Sequence, residues 1–156
     1  MDHPNIVRIH ESYFEDGRIV IIQELCEGGD LVSYITKYKK FNEADAAMII
    51  KTVLGAINYC HKQGVVHRDI KPGNILLEKR PDGKIDFRTL KIVDFGISDK
   101  FSRISEIDIS GTPPFMSPGM LAGSYSEKCD VWAIGVMAYL LISGRYPFLG
   151  DSVEKI

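Results

Sequence analysis

Residues 67–74 read His-Arg-Asp-Ile-Lys-Pro-Gly-Asn, and twenty residues after Asn74 comes the run Asp-Phe-Gly at 94–96. Three further runs follow in order, namely Gly-Thr-Pro at 111–113, Met-Ser-Pro at 116–118 and Asp-Val-Trp at 130–132. Taken singly, an Asp-Phe-Gly run is more often a turn than a metal site, and a His-Arg-Asp run is more often a surface cluster of charges. All five runs in this order make coincidence a poor explanation, so we interpret them as parts of one site.

The segment before these runs is predicted to contain a long helix. Residues 42–63 begin with Asn42, a good N-cap, and are followed by Gly64, a natural stop. Apolar residues recur along it at helical spacing, which predicts one buried face. The residues predicted for this face are Ala47, Ile50, Leu54, Ile57 and His61.

Two further helices flank this region. Asp30 is placed to cap a short helix that runs to about Tyr38. Ser126 is placed to cap a long helix at residues 127–143, which Gly144 would end.

Short strands and loops account for the remainder. Residues 6–9 and 18–24 are predicted to pair as a hairpin around Asp16-Gly17, a turn signal. Residues 94–124 are rich in Ser, Gly and Pro without a period, which predicts a long loop that is either functional or disordered. Brief apolar runs predict short strands at 65–66, 75–77 and 90–93.

The composition argues against several classes of function. The chain has 45% hydrophobic and 26% charged residues, a net charge of −2 and no polybasic run, which argues against nucleic acid or an anionic membrane as partner. The longest apolar run, residues 131–142, is shorter than the roughly 20 residues that a membrane span needs, and predicts a helix buried on all sides. Three distant cysteines argue against disulfides and a zinc site and favour an intracellular compartment.

In order and spacing, the five runs resemble the signature set of the protein kinases, and the resemblance covers essentially all 156 residues. It implies an α+β, protein kinase-like fold that is mostly the helical C-terminal lobe. Residues 1–24 would form the end of the N-terminal lobe and residues 25–29 the hinge. Residues 30–156 would form the C-terminal lobe, cut before its final helices.

The resemblance implies catalytic roles for five residues. Asp69 would accept the hydrogen bond and then the proton of the attacking hydroxyl, and Lys71 would reach the γ-phosphate as a compact cation. Thr112 would hydrogen-bond to both of them. Asn74 and Asp94 would bind Mg²⁺ through oxygen atoms, the ligands this ion prefers.

The resemblance also implies where ATP would lie. The backbone of Glu24 and Cys26 would face adenine, and Leu76 would lie beneath the ring. Together with the phosphate end, the predicted ATP contacts are Glu24, Cys26, Leu76, Lys71, Asn74 and Asp94.

Two acidic residues have structural roles in the resemblance. Asp130 resembles the helix residue that holds the backbone around His67 and Arg68. Asp108 stands three residues before Gly111, where many kinases carry a phosphothreonine. Its carboxylate either pairs with Arg68 in place of a phosphate or is a solvated loop residue.

The implied activity is transfer of the γ-phosphate of ATP to Ser or Thr hydroxyls of protein substrates, since Lys71 with the run at 111–113 favours these over Tyr. Residues 3–7, 127–132 and 144–148 resemble the calcium-dependent protein kinases in particular. EF-hand loops are absent from the sequence, so any calcium control would act through regions outside it.

Three hypotheses remain open. By the resemblance, the Gly-rich loop, the strand lysine and its partner glutamate would lie before Met1. The chain is then a piece of an active kinase, a pseudokinase-like binding module, or a non-catalytic fragment that competes for partners. Intact Asp69, Lys71, Asn74 and Asp94 favour the first, although we expect the 156-residue chain alone to have little activity.

Overall fold

A computed structural model of the chain describes residues 1–100, 111–123 and 126–150. Asp108, for which the sequence suggests a role in place of a phosphate, lies outside these residues. The described part has an N-terminal β-hairpin followed by helices and pairs of two-residue strands. The predicted α+β class is confirmed.

The hairpin consists of β1 (Ile9–Glu15) and β2 (Arg18–Gln23), which pair antiparallel. Asp16 and Gly17 form its turn with φ values of 50° and 76°, a left-handed geometry that suits a two-residue hairpin. The turn was predicted correctly, but the first strand was not, because the apolar residues before Ile9 pair elsewhere. Val7 N donates to Ile92 O at 2.9 Å, which joins residues 5–8 to the body of the domain.

The first two helices begin at the predicted caps. In α1 (Leu31–Tyr38), Asp30 Oδ1 accepts from Ser33 N at 2.6 Å. In α2 (Glu43–Lys62), the side chain of Asn42 accepts from Asp45 N. Gly64 follows α2 in the left-handed region, with φ of 73°.

The predicted buried face of α2 is right for Ile57 and wrong for Ala47 and Leu54, which are exposed. Leu54 is 41% exposed, whereas Val53 is fully buried. The helix carries two apolar stripes side by side, and the one that contains small residues lies inward, where α2 packs against the last helix. The buried residues are Ala46, Ile49, Val53, Ala56, Ile57 and Cys60.

The last described helix, α4 (Lys128–Ser143), begins one residue later than predicted, and Ser126 does not form its N-cap. Gly144 ends it with φ of 71°, as predicted. The prediction that the run 131–142 is buried on all sides is wrong, since Val131 is 52% and Tyr139 51% exposed. An all-apolar helix gives no signal of which face has a neighbour.

The short strands form two antiparallel pairs. β3 (Val65–Val66) pairs with β6 (Asp99–Lys100), and β4 (Ile75–Leu76) pairs with β5 (Lys91–Ile92). The three predicted runs are strands, whereas β6 was missed inside the predicted loop.

The same predicted loop also contains a 3-10 helix (Pro113–Phe115) and α3 (Pro118–Leu121). None of the helices in the described part is long and apolar enough to cross a membrane.

All three cysteines are free, as predicted. Burial, and then the charge of Asp130, raises the pKa of Cys60 to about 11 and that of Cys129 to about 12. Both side chains therefore remain protonated thiols and act as small apolar residues in the core.

Candidate active site

The loop between β3 and β4 contains residues 67–74, and Asp130 of α4 holds the start of this loop. The buried carboxylate of Asp130 accepts from His67 N at 2.9 Å and from Arg68 N at 2.8 Å. Arg68 has φ of 73°, a conformation that costs a non-glycine residue roughly 1–2 kcal/mol. The two hydrogen bonds offset this strain and fix the direction in which the chain enters Asp69.

A third hydrogen bond to Asp130 comes from α2. His61 Nε2 lies 2.8 Å from Asp130 Oδ2, the oxygen that also accepts from His67 N. Asp130 thus joins α2, α4 and the loop through one carboxylate. The sequence placed His61 on an apolar helix face, and it gave no signal for this contact.

Asp69 lies at the centre of a closed network of side chains. Its Oδ1 accepts from Thr112 Oγ1 at 2.7 Å, and its Oδ2 accepts from Lys71 Nζ at 2.6 Å. Lys71 Nζ also donates to Thr112 Oγ1 at 2.7 Å, which completes the triangle. The structure therefore brings three of the predicted catalytic residues into direct contact, although Thr112 is far from the other two in sequence.

Asn74 is held from the same loop and is almost fully buried. It ends a 3-10 helix (Pro72–Asn74), and its Nδ2 donates to Asp69 O at 2.8 Å and to Asp69 Oδ2 at 3.1 Å. Because these bonds engage the nitrogen, the amide oxygen Oδ1 is the end left for a ligand.

His67 connects this loop to the strand that leads to Asp94. Its Nε2 donates to Val93 O at 3.0 Å, and its Nδ1 accepts from Asp69 N at 3.3 Å, a pattern that requires the neutral ring. Burial lowers the pKa of His67, although nearby carboxylates, chiefly that of Asp130, act in the opposite direction. The ring also packs on Phe95, with centroids 4.6 Å apart.

Asp94 follows β5 in a left-handed conformation, with φ of 63°. Its Oδ1 accepts from Gly96 N at 3.2 Å, and the residue is exposed. Because of this conformation, the chain changes direction at Asp94 after it leaves β5. With Asn74 Oδ1, it supplies the kind of hard oxygen donors that Mg²⁺ takes from proteins, one or two at a time.

The predicted adenine contacts lie along the exit from β2 and on β4. Leu76 and Cys26 are half-buried. Glu24 Oε1 accepts from Arg8 N at 2.7 Å and pairs with Lys91 Nζ at 3.0 Å. Burial alone would raise the pKa of Glu24, but the Arg8 amide and Lys91 outweigh it, so the pKa is lowered.

Two backbone hydrogen bonds hold the chain after Cys26 against β4. Gly28 N donates to Leu77 O, and Leu77 N donates to Gly29 O, both at 2.8 Å. A Cβ on Gly28 would lie 2.3 Å from Leu77 O, so this approach requires glycine.

The comparisons with known proteins agree with this geometry. Residues 1–156 match the protein kinase domain along their whole length. The chain belongs to the protein kinase domain family. The predicted kinase-like fold and the protein kinase resemblance are thereby confirmed.

Several curated kinases are similar to the domain. The serine/threonine-protein kinase PEPKR2 of Arabidopsis thaliana is 42% identical over 155 residues, which cover 99% of this chain and 32% of that protein. The calcium-dependent protein kinase 4 of Plasmodium berghei is 43% identical over 157 positions, which cover 100% of this chain and 29% of that protein. The kinase domain described here thus spans about a third or less of the length of these relatives.

Proposed function

We propose that the protein is a serine/threonine kinase that transfers the γ-phosphate of ATP to a Ser or Thr hydroxyl of a protein substrate. The observation that carries the proposal is the network in which Asp69 contacts Lys71, Thr112 and Asn74 within 3.1 Å. A domain that only binds partners has no chemical need for this set.

The hydrogen bonds of Asp69 indicate which of its oxygens receives the substrate. A carboxylate oxygen accepts about two hydrogen bonds. Oδ2 already accepts from Lys71 and Asn74, whereas among the described residues Oδ1 accepts from Thr112 alone. The attacking hydroxyl would donate to Oδ1 and pass its proton there as its oxygen bonds to the γ-phosphorus and ADP leaves.

Lys71 and Thr112 hold that carboxylate in place. Lys71 is 28% exposed at its side chain, and Asp69 is 11% exposed. The ammonium group can therefore face both the carboxylate and the transferred phosphoryl group, whose negative charge it would stabilise. The resemblance to kinases with this lysine and threonine supports Ser and Thr as acceptors.

The donor set fits magnesium. Asn74 Oδ1 and Asp94 would supply hard oxygen ligands, which Mg²⁺ prefers over nitrogen and sulfur. Bound Mg²⁺ would neutralise charge on the phosphates. Asn74 would hold its ligand oxygen steady through the two bonds from Nδ2 to Asp69.

The adenine end would be formed by the hinge, residues 25–29, between an N-terminal part at 1–24 and a C-terminal lobe from residue 30. Glu24 and Cys26 would offer backbone groups to the ring, and Leu76 would pack beneath it. The bonds between Gly28 and Leu77 support this arrangement because they keep the hinge next to β4.

The experiment uses the protein expressed from its complete reading frame, with Mg-ATP and a mixture of Ser/Thr peptides. We expect Asp69→Asn to lower kcat by at least about 100-fold, the usual contribution of a general base, with little change in nucleotide binding. Asp16→Asn, an exposed change in the hairpin turn, is the matched control and should retain full activity. Nucleotide binding without any phosphate transfer by the unsubstituted protein would instead support the binding-module hypothesis.

The relatives suggest a further property of the whole protein. Four of the similar kinases are named calcium-dependent protein kinases. We propose that calcium controls this kinase through regions outside residues 1–156, in an intracellular compartment. Activity of the full-length protein that is the same in excess calcium and in excess chelator would contradict this.

A further inference from the structure

Lys91 is a cation in an unusual position, on the short strand β5 next to the fully buried Ile92. Its side chain is only 13% exposed. The ammonium nitrogen lies 3.0 Å from Glu24 Oε1 and 4.0 Å from Glu78 Oε1. A lysine buried to this degree is costly unless it is paired, so the two carboxylates account for its charge.

The partner of Lys91 connects it to a third segment. The same oxygen of Glu24 accepts from Arg8 N at 2.7 Å, and Glu24 N donates to Arg8 O at 2.9 Å. Residues 5–8 are in turn bonded to β5, through Val7 N to Ile92 O and Ile92 N to Asn5 O. The ion pair therefore closes a ring of three segments, namely residues 5–8, the start of the hinge and β5.

The residues proposed to contact ATP lie directly beside this ring. Leu76 is the register partner of Lys91 in the β4–β5 pair. Asp94 lies three residues further along the chain from Lys91. Glu24 is the first residue after β2 and is itself the ion-pair partner of Lys91.

We infer that Lys91 is a positioning residue for the nucleotide, which acts by fixing the Glu24 end of the hinge against β5. The inference rests on the proposed kinase function and deepens it. Without the ammonium group, the carboxylates of Glu24 and Glu78 would face each other with no cation between them, and the hinge would move away from β5. The adenine contacts would then lose their fixed distance from Asp94.

The network around Asp69 is built from other residues, so it would remain intact when the pair is lost. Asp69 is held by Lys71, Thr112 and Asn74. Loss of the ion pair should therefore weaken ATP binding and leave the transfer step nearly unchanged. A residue that served stability alone would not produce this division between KM and kcat.

The test compares five variants of the protein expressed from its complete reading frame. Lys91→Met keeps the length of the side chain and removes its charge, and Glu24→Gln keeps an acceptor for Arg8 N. We expect each to raise KM for ATP by roughly three- to tenfold, with kcat changed less than about twofold, as for loss of a contact that couples neighbouring groups. Lys91→Arg should restore KM, because it keeps the cation.

Two controls make the result specific. The double variant Glu24→Gln/Lys91→Met should have a KM for ATP no higher than that of the more affected single variant, because each single substitution already removes the same ion pair. Lys84→Met is the matched control, since Lys84 is an exposed lysine on the same connection between β4 and β5 and has no ion pair in the described structure. Its KM for ATP should not change.

Direct binding of a fluorescent Mg-ATP analogue separates failure of this inference from failure of the proposed function. No binding by the unsubstituted protein would overturn both. Equal affinity in the unsubstituted, Lys91→Met and Glu24→Gln proteins, or a loss of kcat with constant KM, would overturn the positioning role alone. If Lys91→Met does not fold, as judged by thermal unfolding without nucleotide, Glu24→Gln provides the same test.

Discussion

The loop at residues 67–74 and the β1–β2 hairpin hold their shapes by different means. The hairpin is defined by backbone pairing between neighbours in sequence, and nearly all of its side chains are exposed. The loop has little regular structure, and its shape depends on side chains from distant elements, among them Asp130 and Thr112. Local rules therefore suffice for the turn of the hairpin, whereas the loop exists only when the domain is assembled around it. Changing a long-range contact and a harmless site side by side tests this difference.

The largest effect is expected from Asp130→Asn. The substitution removes the charge that three hydrogen bonds share and places an NH₂ group against one of the two backbone donors, His67 N or Arg68 N. Arg68 would also keep its left-handed strain with weaker compensation from residue 130. We expect a loss of about 3 kcal/mol in the free energy of unfolding, measured by urea denaturation of the 156-residue chain.

Asp16→Asn is the matched control in the hairpin turn. Asn tolerates the positive φ of 50° found there, and the side chain is exposed, so stability should change by less than about 0.5 kcal/mol. Equal effects of the two substitutions would mean that Asp130 does not hold the loop.

The second prediction concerns Gly28, where the chain leaving the hairpin meets the helical body. In Gly28→Ala, the added methyl group would lie 2.3 Å from Leu77 O, so the hinge must move and its hydrogen bond to Leu77 must lengthen. We expect a loss of about 2 kcal/mol in the free energy of unfolding, by the same measurement.

Gly55→Ala gives the opposite sign and serves as the control. Gly55 lies inside α2, and nothing lies within 4 Å of a Cβ built on it. Alanine is favoured over glycine in a helix, so the variant should be more stable by about 0.5–1 kcal/mol. A neutral Gly28→Ala would show that the hinge can shift at no cost.

The same contrast explains how much could be predicted from sequence. Caps and turns such as Asp30, Asn42, Asp16-Gly17 and Gly144 were predicted correctly, because each acts on residues within a few positions. The protein kinase fold was also predicted correctly, from the resemblance to that family. These features depend on short-range chemistry or on a motif as a whole.

Contacts between particular residues that lie far apart in the sequence could not be predicted in the same way. Residues 42–63 offer two apolar stripes, and only the approach of α4 decides that Val53 is buried and Leu54 is not. Lys91 and His61 contribute to the site through contacts with Glu24 and Asp130. For Lys91 a signal did exist, since a lysine inside a short apolar strand needs a partner.

The smallest expected effect is a pH dependence of the free energy of unfolding that arises from His67 in the loop at residues 67–74. Burial lowers the pKa of His67 from its ordinary value of 6.5, and so the folded state resists protonation of this ring. In the window below pH 6.5 the unfolded chain binds a proton that the folded chain does not. The contribution of His67 to the free energy of unfolding is therefore complete above this window. It is lost as pH falls through the window, by at most about 1.4 kcal/mol per pH unit.

Urea denaturation between pH 5.5 and 7.5 measures this slope in the unsubstituted chain and in two variants. His67→Phe cannot bind the proton, so its slope should be smaller, even though the variant loses the hydrogen bonds to Val93 and from Asp69 N. His10→Gln, at an exposed position of β1, is the matched control variant. His3, whose pKa burial also lowers, retains a residual slope of the same sign in every variant. An unchanged slope in His67→Phe would mean that the ring binds its proton equally well in the folded and unfolded chains, which would contradict the acceptor role of Nδ1.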